Sequence, residues 1–257
     1  MDKVTESAKR KTGRHLISLA TVASTNTFTM ELADKGAADG TVVIADAQTR
    51  GKGRLGRTWI SPPGVNIYMS VLLRPVMLLK DGTLLTIMAA VACCRALRDA
   101  SGLPVAIRWP NDLMVADKKI GGILTETKSR GKRIFFAVIG IGINVNSARE
   151  DFPPDVRETA TSIKIETEAE HPRPTLIACM LDEIELWYGI LFERGRKPLL
   201  DEWRKLTSTL GRDVKVTVGK KTSAGVAEDI DDEGMLLLKL PTGRVMRITA
   251  GDLMILR

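Results

Sequence analysis

From Asp46 to Arg74 the chain reads DAQTRGKGRLGRTWISPPGVNIYMSVLLR. Within it Gly51, Gly53 and Gly56 alternate with Lys52, Arg54 and Arg57, and Arg50 stands just ahead. Glycine lets a backbone fold closely around a ligand and turn amide N–H groups toward anionic oxygens. Lysine adds fixed positive charge, and arginine adds a planar, two-pronged donor. Such a loop suits a flexible clamp on a phosphate-bearing ligand.

The three glycines also spell G-x-G-x-x-G. A dinucleotide site would need a helix immediately after them. Here Arg57 to Pro63 ends in paired prolines, and β-branched alternation follows, so no helix continues. A P-loop is excluded as well, because no Gly-Lys-Ser/Thr closes the run. A solvated basic surface loop stays open as the plain alternative.

Further residues of chemical interest lie downstream. Asn111 and Asp112 leave a short strand in the run RWPND. They serve as turn residues or, beside a phosphate clamp, as oxygen ligands to Mg²⁺. Lys119 precedes Gly121-Gly122, a pair that permits close approach of backbone to ligand. The lysine is either solvated at a strand start or placed against an anion. Gly140 and Gly142 leave one face of an apolar strand bare, with room for a flat ligand, and Asn144 offers a donor and an acceptor to an adenine edge. There are 2 histidines and 3 cysteines, with no metal-ligand spacing. Chemistry should therefore rest on lysine, arginine and backbone donors. Cys93, Cys94 and Cys179 read as reduced core residues of a cytoplasmic protein.

Taken in order, Ser24-Thr25-Asn26, Gln48, the glycine-basic loop, RWPND, KKIGGIL at 118–124 and IGIGINVN at 139–146 resemble the biotin–protein ligases, the biotin–[acetyl-CoA-carboxylase] ligases. The resemblance runs from about Leu16 to the C-terminus. It implies a biotin side made by Ser24, Thr25, Asn26, Gln48, Gly51, Lys52, Gly53, Tyr68, Lys119 and Gly122. The first four would meet the ureido head group. It implies an ATP and adenylate side made by Lys52, Arg54, Arg57, Trp59, Asn111, Asp112, Gly142 and Asn144, with Asp112 as a Mg²⁺ ligand. Lys119 and Arg54 are the catalytic residues in this reading, and Lys119 sits near the biotin carboxylate and the α-phosphate. Biotin and ATP would react to biotinyl-5′-AMP, and a lysine of a biotin carboxyl carrier protein would take the biotin. Family members often place an aromatic residue of the 147–163 region over adenine; Phe152 is the candidate here.

The elements that must position these groups are legible in outline. Strands are expected over 16–20, 41–45, 65–73, 105–108, from 118, and over 133–144, the last central in its sheet. Ser24-Thr25-Asn26 opens a helix by side-chain capping, and Gly36 closes it. Leu84 to Ala100 is apolar nearly all round and reads as a buried helix. Thr175 to Glu193 is amphipathic, with Leu176, Met180, Ile184, Trp187 and Leu191 facing the core, and a short helix follows over 197–206. Residues 147–163 read as a mobile lid. From Gly211 the texture changes to short strands DVKVTV, TSAGVAEDI, MLLLKL and RVMRIT, with turns at 231–234 and 241–243.

The fold class is thus α+β: a mixed sheet with helices on one face, like the class II synthetase-type biotin ligase catalytic domain, then a small SH3-like β-barrel. The expected divisions are a flexible N-terminus (1–15), a catalytic domain (16–208) and the barrel (209–257). The segment 1–15 has no room for a DNA-binding helix-turn-helix, so a ligase without repressor function is expected. A net charge of +7 over 257 residues suits an acidic partner. No membrane span or signal peptide is evident. A homodimer through a sheet edge is compatible with the long apolar strand.

Two rivals differ in class or substrate. A lipoate–protein ligase would share chemistry and fold, but its Gly-Gly-Gly stretch and following histidine are absent. A nucleic-acid-binding module would use the basic loop, yet aromatic content is 4% and Trp59 alone ends the run, so stacking platforms are missing.

Overall fold

The computed structural model describes residues 12–256. Seven strands form the main sheet: β1 (Leu16–Val22), β2 (Val42–Gln48), β3 (Ile67–Leu73), β4 (Ala106–Arg108), β5 (Asp112–Val115), β6 (Lys118–Arg130) and β7 (Arg133–Ile143). Their order is β1-β2-β3-β7-β6-β5-β4. β1 and β2 run parallel and the other neighbours antiparallel, so the sheet is mixed.

β7 is the central strand, and its alternation sorts the two faces. Ala137, Ile139, Ile141 and Ile143 enter the main core, whereas Phe136 and Val138 join a smaller cluster on the other side. Three helices cover the main-core face: α2 (Thr83–Ser101), α4 (Arg173–Glu193) and α5 (Arg196–Leu206). α2 is buried around most of its circumference because sheet and helices enclose it. Gly102 ends it at φ 71°, donating its amide to Arg98 O, in the left-handed conformation glycine adopts cheaply. Truncating Ile139 to alanine between these layers would cost about 2–5 kcal/mol. The short helix α1 (Thr25–Asp34) lies on the opposite face, where Ala33 packs with Leu72, Phe136 and Val138. A five-residue helix, α3 (Ile163–Thr167), precedes α4.

The C-terminal sheet contains β8 (Asp213–Val218), β9 (Lys221–Ile230), β10 (Leu236–Lys239), β11 (Val245–Ile248) and β12 (Asp252–Ile255), in the order β11-β10-β9-β8-β12. It docks on the main domain through specific bonds. Thr209 Oγ1 accepts from the Trp109 amide at 2.9 Å, Gly234 O accepts from the Trp109 indole at 3.2 Å, and Arg204 grips Asp229.

Some expectations require correction. Residues 1–11 of the expected flexible end lie outside the described residues, but 12–15 are tied down. Thr12 donates through its amide and hydroxyl to Glu185, and His15 O accepts from Val42 N at 2.9 Å. The apolar strand β7 is flanked on both sides by β3 and β6, so it has no edge to offer a second copy. β12 went unread, since four residues after Gly251 carry little pattern. The 147–163 segment is bonded rather than loose: Lys119 N donates to Thr159 O, Thr161 N returns to Lys119 O, and Thr161 and Ser162 are fully buried.

Candidate functional site

A cavity of about 670 Å³ opens between the α1 side of the main sheet and β12 of the C-terminal sheet. Its floor is a pair of glycines. Gly122 on β6 and Gly142 on β7 are register partners, and the indole of Trp59 lies against them. A Cβ on Gly142 would sit 2.6 Å from the indole, and one on Gly140 would sit 2.2 Å from Asn26 Oδ1. The bare face expected to receive a flat ligand is therefore filled by the protein's own Trp59 and Asn26. The buried Trp59 Nε1 has no hydrogen-bond partner among the described residues. Above the ring, Lys119 Nζ stands 5.5 Å from its centroid, a cation–π contact.

One end of the cavity is neutral. Thr25 donates to Gln48 Oε1 through its amide at 2.9 Å and its hydroxyl at 3.2 Å. Gln48 Nε2 donates to Ser61 Oγ at 2.9 Å, which fixes the Gln48 amide orientation. Asn26 Nδ2 donates to Leu124 O and Glu126, and Ser70 Oγ bridges Thr25 Oγ1 and Asn26 Oδ1. Ser24 does not cap α1 as expected. It holds the N-cap position without a side-chain bond, and Gln48 supplies the cap to the Thr25 amide instead. Ser24 itself lines the cavity.

The other end is charged. Lys119 Nζ lies 2.5 Å from Asp112 Oδ1, and Arg108 Nη2 lies 3.0 Å from Asp112 Oδ2. Burial alone would raise the Asp112 pKa; Lys119 first and Arg108 second outweigh it and hold the carboxyl below the usual range. Arg54 Nη1 donates to Asn111 Oδ1 at 2.8 Å, while Asn111 Nδ2 donates to Ile123 O. Burial lowers the Arg54 pKa, with Asp112 and Asp252 acting against it. A guanidinium so placed is still charged at neutral pH. This donor set does not fit Mg²⁺ on Asp112. Both carboxylate oxygens face cations, and no group of three or more His, Cys, Asp or Glu is gathered among the described residues.

The basic loop is a hairpin rather than an open cradle. Lys52 bridges Thr58, Gly53 N donates to Arg57 O, and Trp59 N donates to Gly51 O. The Gly53 and Trp59 amides are thus committed within the loop, and its cationic side chains are what face the cavity. Gly51 is not at the cavity; a Cβ there would meet Trp59 O at 2.3 Å, so internal packing demands glycine. At the tip, Leu55 takes φ 55° and Gly56 φ 76°. Arg57 Nη2 reaches Asp252 Oδ2 at 2.5 Å, and Gly251 O accepts from Arg54 at 3.4 Å, so β12 backs the loop.

Of the expected residues, Ser24, Thr25, Asn26, Gln48, Lys52, Gly53, Arg54, Arg57, Trp59, Asn111, Asp112, Lys119, Gly122, Gly142 and Asn144 all line this cavity, and Phe152 does too. Tyr68 does not. It is buried beneath the lining, its hydroxyl donates to Pro62 O, and burial raises its pKa. Asn144 commits an amide hydrogen to Thr161 O at 2.9 Å, which leaves less than the full pair expected for an adenine edge. Sequence reasoning missed Ser70, Glu126, Arg108 and Asp252. Arg108 stands inside RWPND and was readable there; strand alternation puts Ser70 on the face of Tyr68; nothing local marks Asp252.

Comparison with known proteins fixes the family. Residues 18–144 match the biotin/lipoate A/B protein ligase family, and 209–253 match the biotin protein ligase C-terminal domain. The bifunctional ligase/repressor BirA of Bacillus spizizenii is 37% identical over 241 residues, covering 94% of this chain and 74% of that protein. The biotin–[acetyl-CoA-carboxylase] ligase of Mycobacterium tuberculosis is 34% identical, covering 95% of this chain and 90% of its own. Among solved structures, the Aquifex aeolicus biotin protein ligase in complex with biotin and ATP superposes with a TM-score of 0.81 at 28% identity, over 95% of this chain and 100% of that one. The fold and the paired domains define a ligase of the biotin/lipoate class. Within it, the chain belongs to the biotin protein ligase family.

Proposed function

We propose that the chain activates biotin with ATP to biotinyl-5′-AMP and transfers biotin to a lysine of a carboxyl carrier protein. The supporting observation is a single cavity with a neutral, hydrogen-bonding end and a cationic end, joined where the Trp59 indole lies over the Gly122–Gly142 pair. A cyclic urea suits the first end, and a carboxylate meeting a phosphate suits the second.

In the first step a biotin carboxylate oxygen bonds to the α-phosphorus while the bond to the β-phosphate oxygen breaks, releasing pyrophosphate. Two anions must approach, and Lys119 and Arg54 offset their repulsion and the charge that develops. Lys119 is held in reserve by Asp112 and shifts toward the reacting oxygens when they arrive. In the second step a neutral lysine amine attacks the acyl carbon, the bond to AMP breaks, AMP leaves with the electron pair, and the nitrogen gives up one proton to solvent. No protein nucleophile is needed. The contribution of the chain is orientation and charge, and the loop with β12 excludes the water that would hydrolyse the anhydride. Among the described residues no helix is long and apolar enough to cross a membrane.

Mass spectrometry after incubation with Mg-ATP and either biotin or lipoate tests this reading. Biotinyl-adenylate with biotin alone is the expected result. Lipoyl-adenylate would move the substrate within the same chemistry, and neither product would overturn the assignment.

A further inference from the structure

Behind the neutral end stands a carboxylate for which the reaction has no direct use. Glu126 on β6 shares a face with Gly122 and Leu124, because its register partner is Val138 as theirs are Gly142 and Gly140. Its Oε2 accepts from Asn26 Nδ2 at 2.9 Å, and its Oε1 lies 3.4 Å from Lys52 Nζ. The second Asn26 Nδ2 hydrogen goes to Leu124 O at 3.1 Å. Both of these partners can only accept. Turning the amide over would place Oδ1 against a carboxylate and a carbonyl oxygen, so its orientation is locked.

On the other side, Ser70 Oγ lies 2.7 Å from Asn26 Oδ1 and 2.8 Å from Thr25 Oγ1. One hydroxyl hydrogen serves two acceptors, so lone pairs remain for a ligand. Gly140 gives the Asn26 amide its room, and Asn26 lines the cavity while 3% exposed.

We propose that Glu126 is a positioning residue that sets the polarity of the head-group site, holding Asn26 so that it offers an oxygen and never an N–H to the ligand. The inference rests on the reading of the cavity as a biotin site. A cyclic urea carries two N–H donors beside its carbonyl, and an acceptor-only Asn26 matches an N–H. A dithiolane ring has no N–H and gains nothing there. Lys52 meets the same carboxylate only as a half-exposed pair at 3.4 Å, a contact worth little, so the basic loop does not depend on it.

The test compares full-length wild type, Glu126→Ala and Glu126→Gln, measuring KM for biotin, for its desthio analogue and for ATP. Glu126→Ala removes the stronger of the two acceptors that hold the Asn26 amide, leaving Leu124 O, and should weaken both urea ligands by roughly tenfold, with ATP unaffected. Glu126→Gln keeps an acceptor oxygen and should recover most of that loss. A merely structural tie between β6 and α1 would instead raise the biotin and ATP constants together and show no rescue by glutamine. That outcome, or an unchanged biotin constant in Glu126→Ala, overturns the proposal. Failure of the biotin reading is distinct, because wild type itself would then show no use of biotin, and both inferences would fall.

Discussion

The two ends of the cavity are built on opposite principles. At the neutral end, Thr25, Asn26, Gln48 and Ser70 satisfy one another through short bonds between uncharged groups, with Glu126 behind them. At the charged end, Asp112 is contested by Lys119 and Arg108, and Arg54 is half buried beside an amide. A network of neutral bonds has a fixed donor and acceptor pattern and changes little when a matching ligand arrives. An ion cluster can exchange partners, because an incoming anion competes with Asp112 for the same cations. The first arrangement selects a ligand and the second drives a reaction. Variants at the two ends should therefore fail in different ways.

The largest effect is expected at Lys119. Replacing it with alanine removes the ammonium that stands between Asp112 and the cavity, and adenylate formation should fall by about 10²–10³-fold. Biotin affinity should change far less, because the neutral end is untouched. A parallel loss of biotin binding would erase the proposed division of labour. Next is Arg54→Ala, which removes the bonds to Asn111 and Gly251 that hold the loop down. Release of free adenylate into solution should rise roughly tenfold, an expected size for weakened closure. Retention equal to wild type would show that the loop does not seal the site.

The same contrast explains what was legible beforehand. The motifs of the charged end are contiguous: RWPND carries Arg108, Asn111 and Asp112, and Lys119 follows within the same hairpin of β5 and β6. The neutral end was half visible, through Ser24-Thr25-Asn26 and Gln48. Ser70 and Glu126 were missed because each lies in a strand whose neighbours already explain it, and their roles depend on β3 and β6 flanking β7. The paired glycines were recognised as making room, but the occupant was misread. Trp59 comes from a loop some sixty residues before β6, and no local pattern says that its indole folds back onto them. Asp252 had no signal at all, since its partner Arg57 lies in the other domain.

A smaller effect should come from acid. The Asp112 carboxyl is held below its ordinary value by Lys119 and Arg108 against the opposing effect of burial. A depressed folded-state pKa contributes stability that is fully present above the unfolded value, about 3.9, and is lost as pH falls through the folded one. The stability gap between wild type and Asp112→Asn should therefore be full at neutral pH and close as pH drops below about 4. A gap independent of pH would mean that the cations gain nothing from the charge on Asp112. Ser70→Ala, by contrast, should produce no such pH dependence, because its partners do not titrate.

The smallest effect concerns Trp59, where the two ends meet. Two buried indole N–H groups lack a partner among the described residues, those of Trp59 and Trp203. Trp203 belongs to the core on α5, enclosed by apolar neighbours. Trp59 rests on the glycine floor beside Lys119. Phenylalanine at position 59 would remove an unsatisfied donor, a gain of about 1–3 kcal/mol, and lose packing of similar size, so the two terms nearly cancel. The melting temperature should shift by only a few degrees, whereas Trp203→Phe, despite the same gain from its unpartnered N–H, should destabilise more, because the fully buried core around Trp203 cannot collapse onto the lost ring. Binding should separate them further. A ligand in the cavity changes the surroundings of Trp59, which lines it, and not those of Trp203, so the Trp203→Phe protein should keep a biotin-dependent change in indole fluorescence and Trp59→Phe should lose most of it, Trp109 on the same lining supplying the rest. A change of wild-type size without Trp59 would mean that the ligand does not lie against that indole.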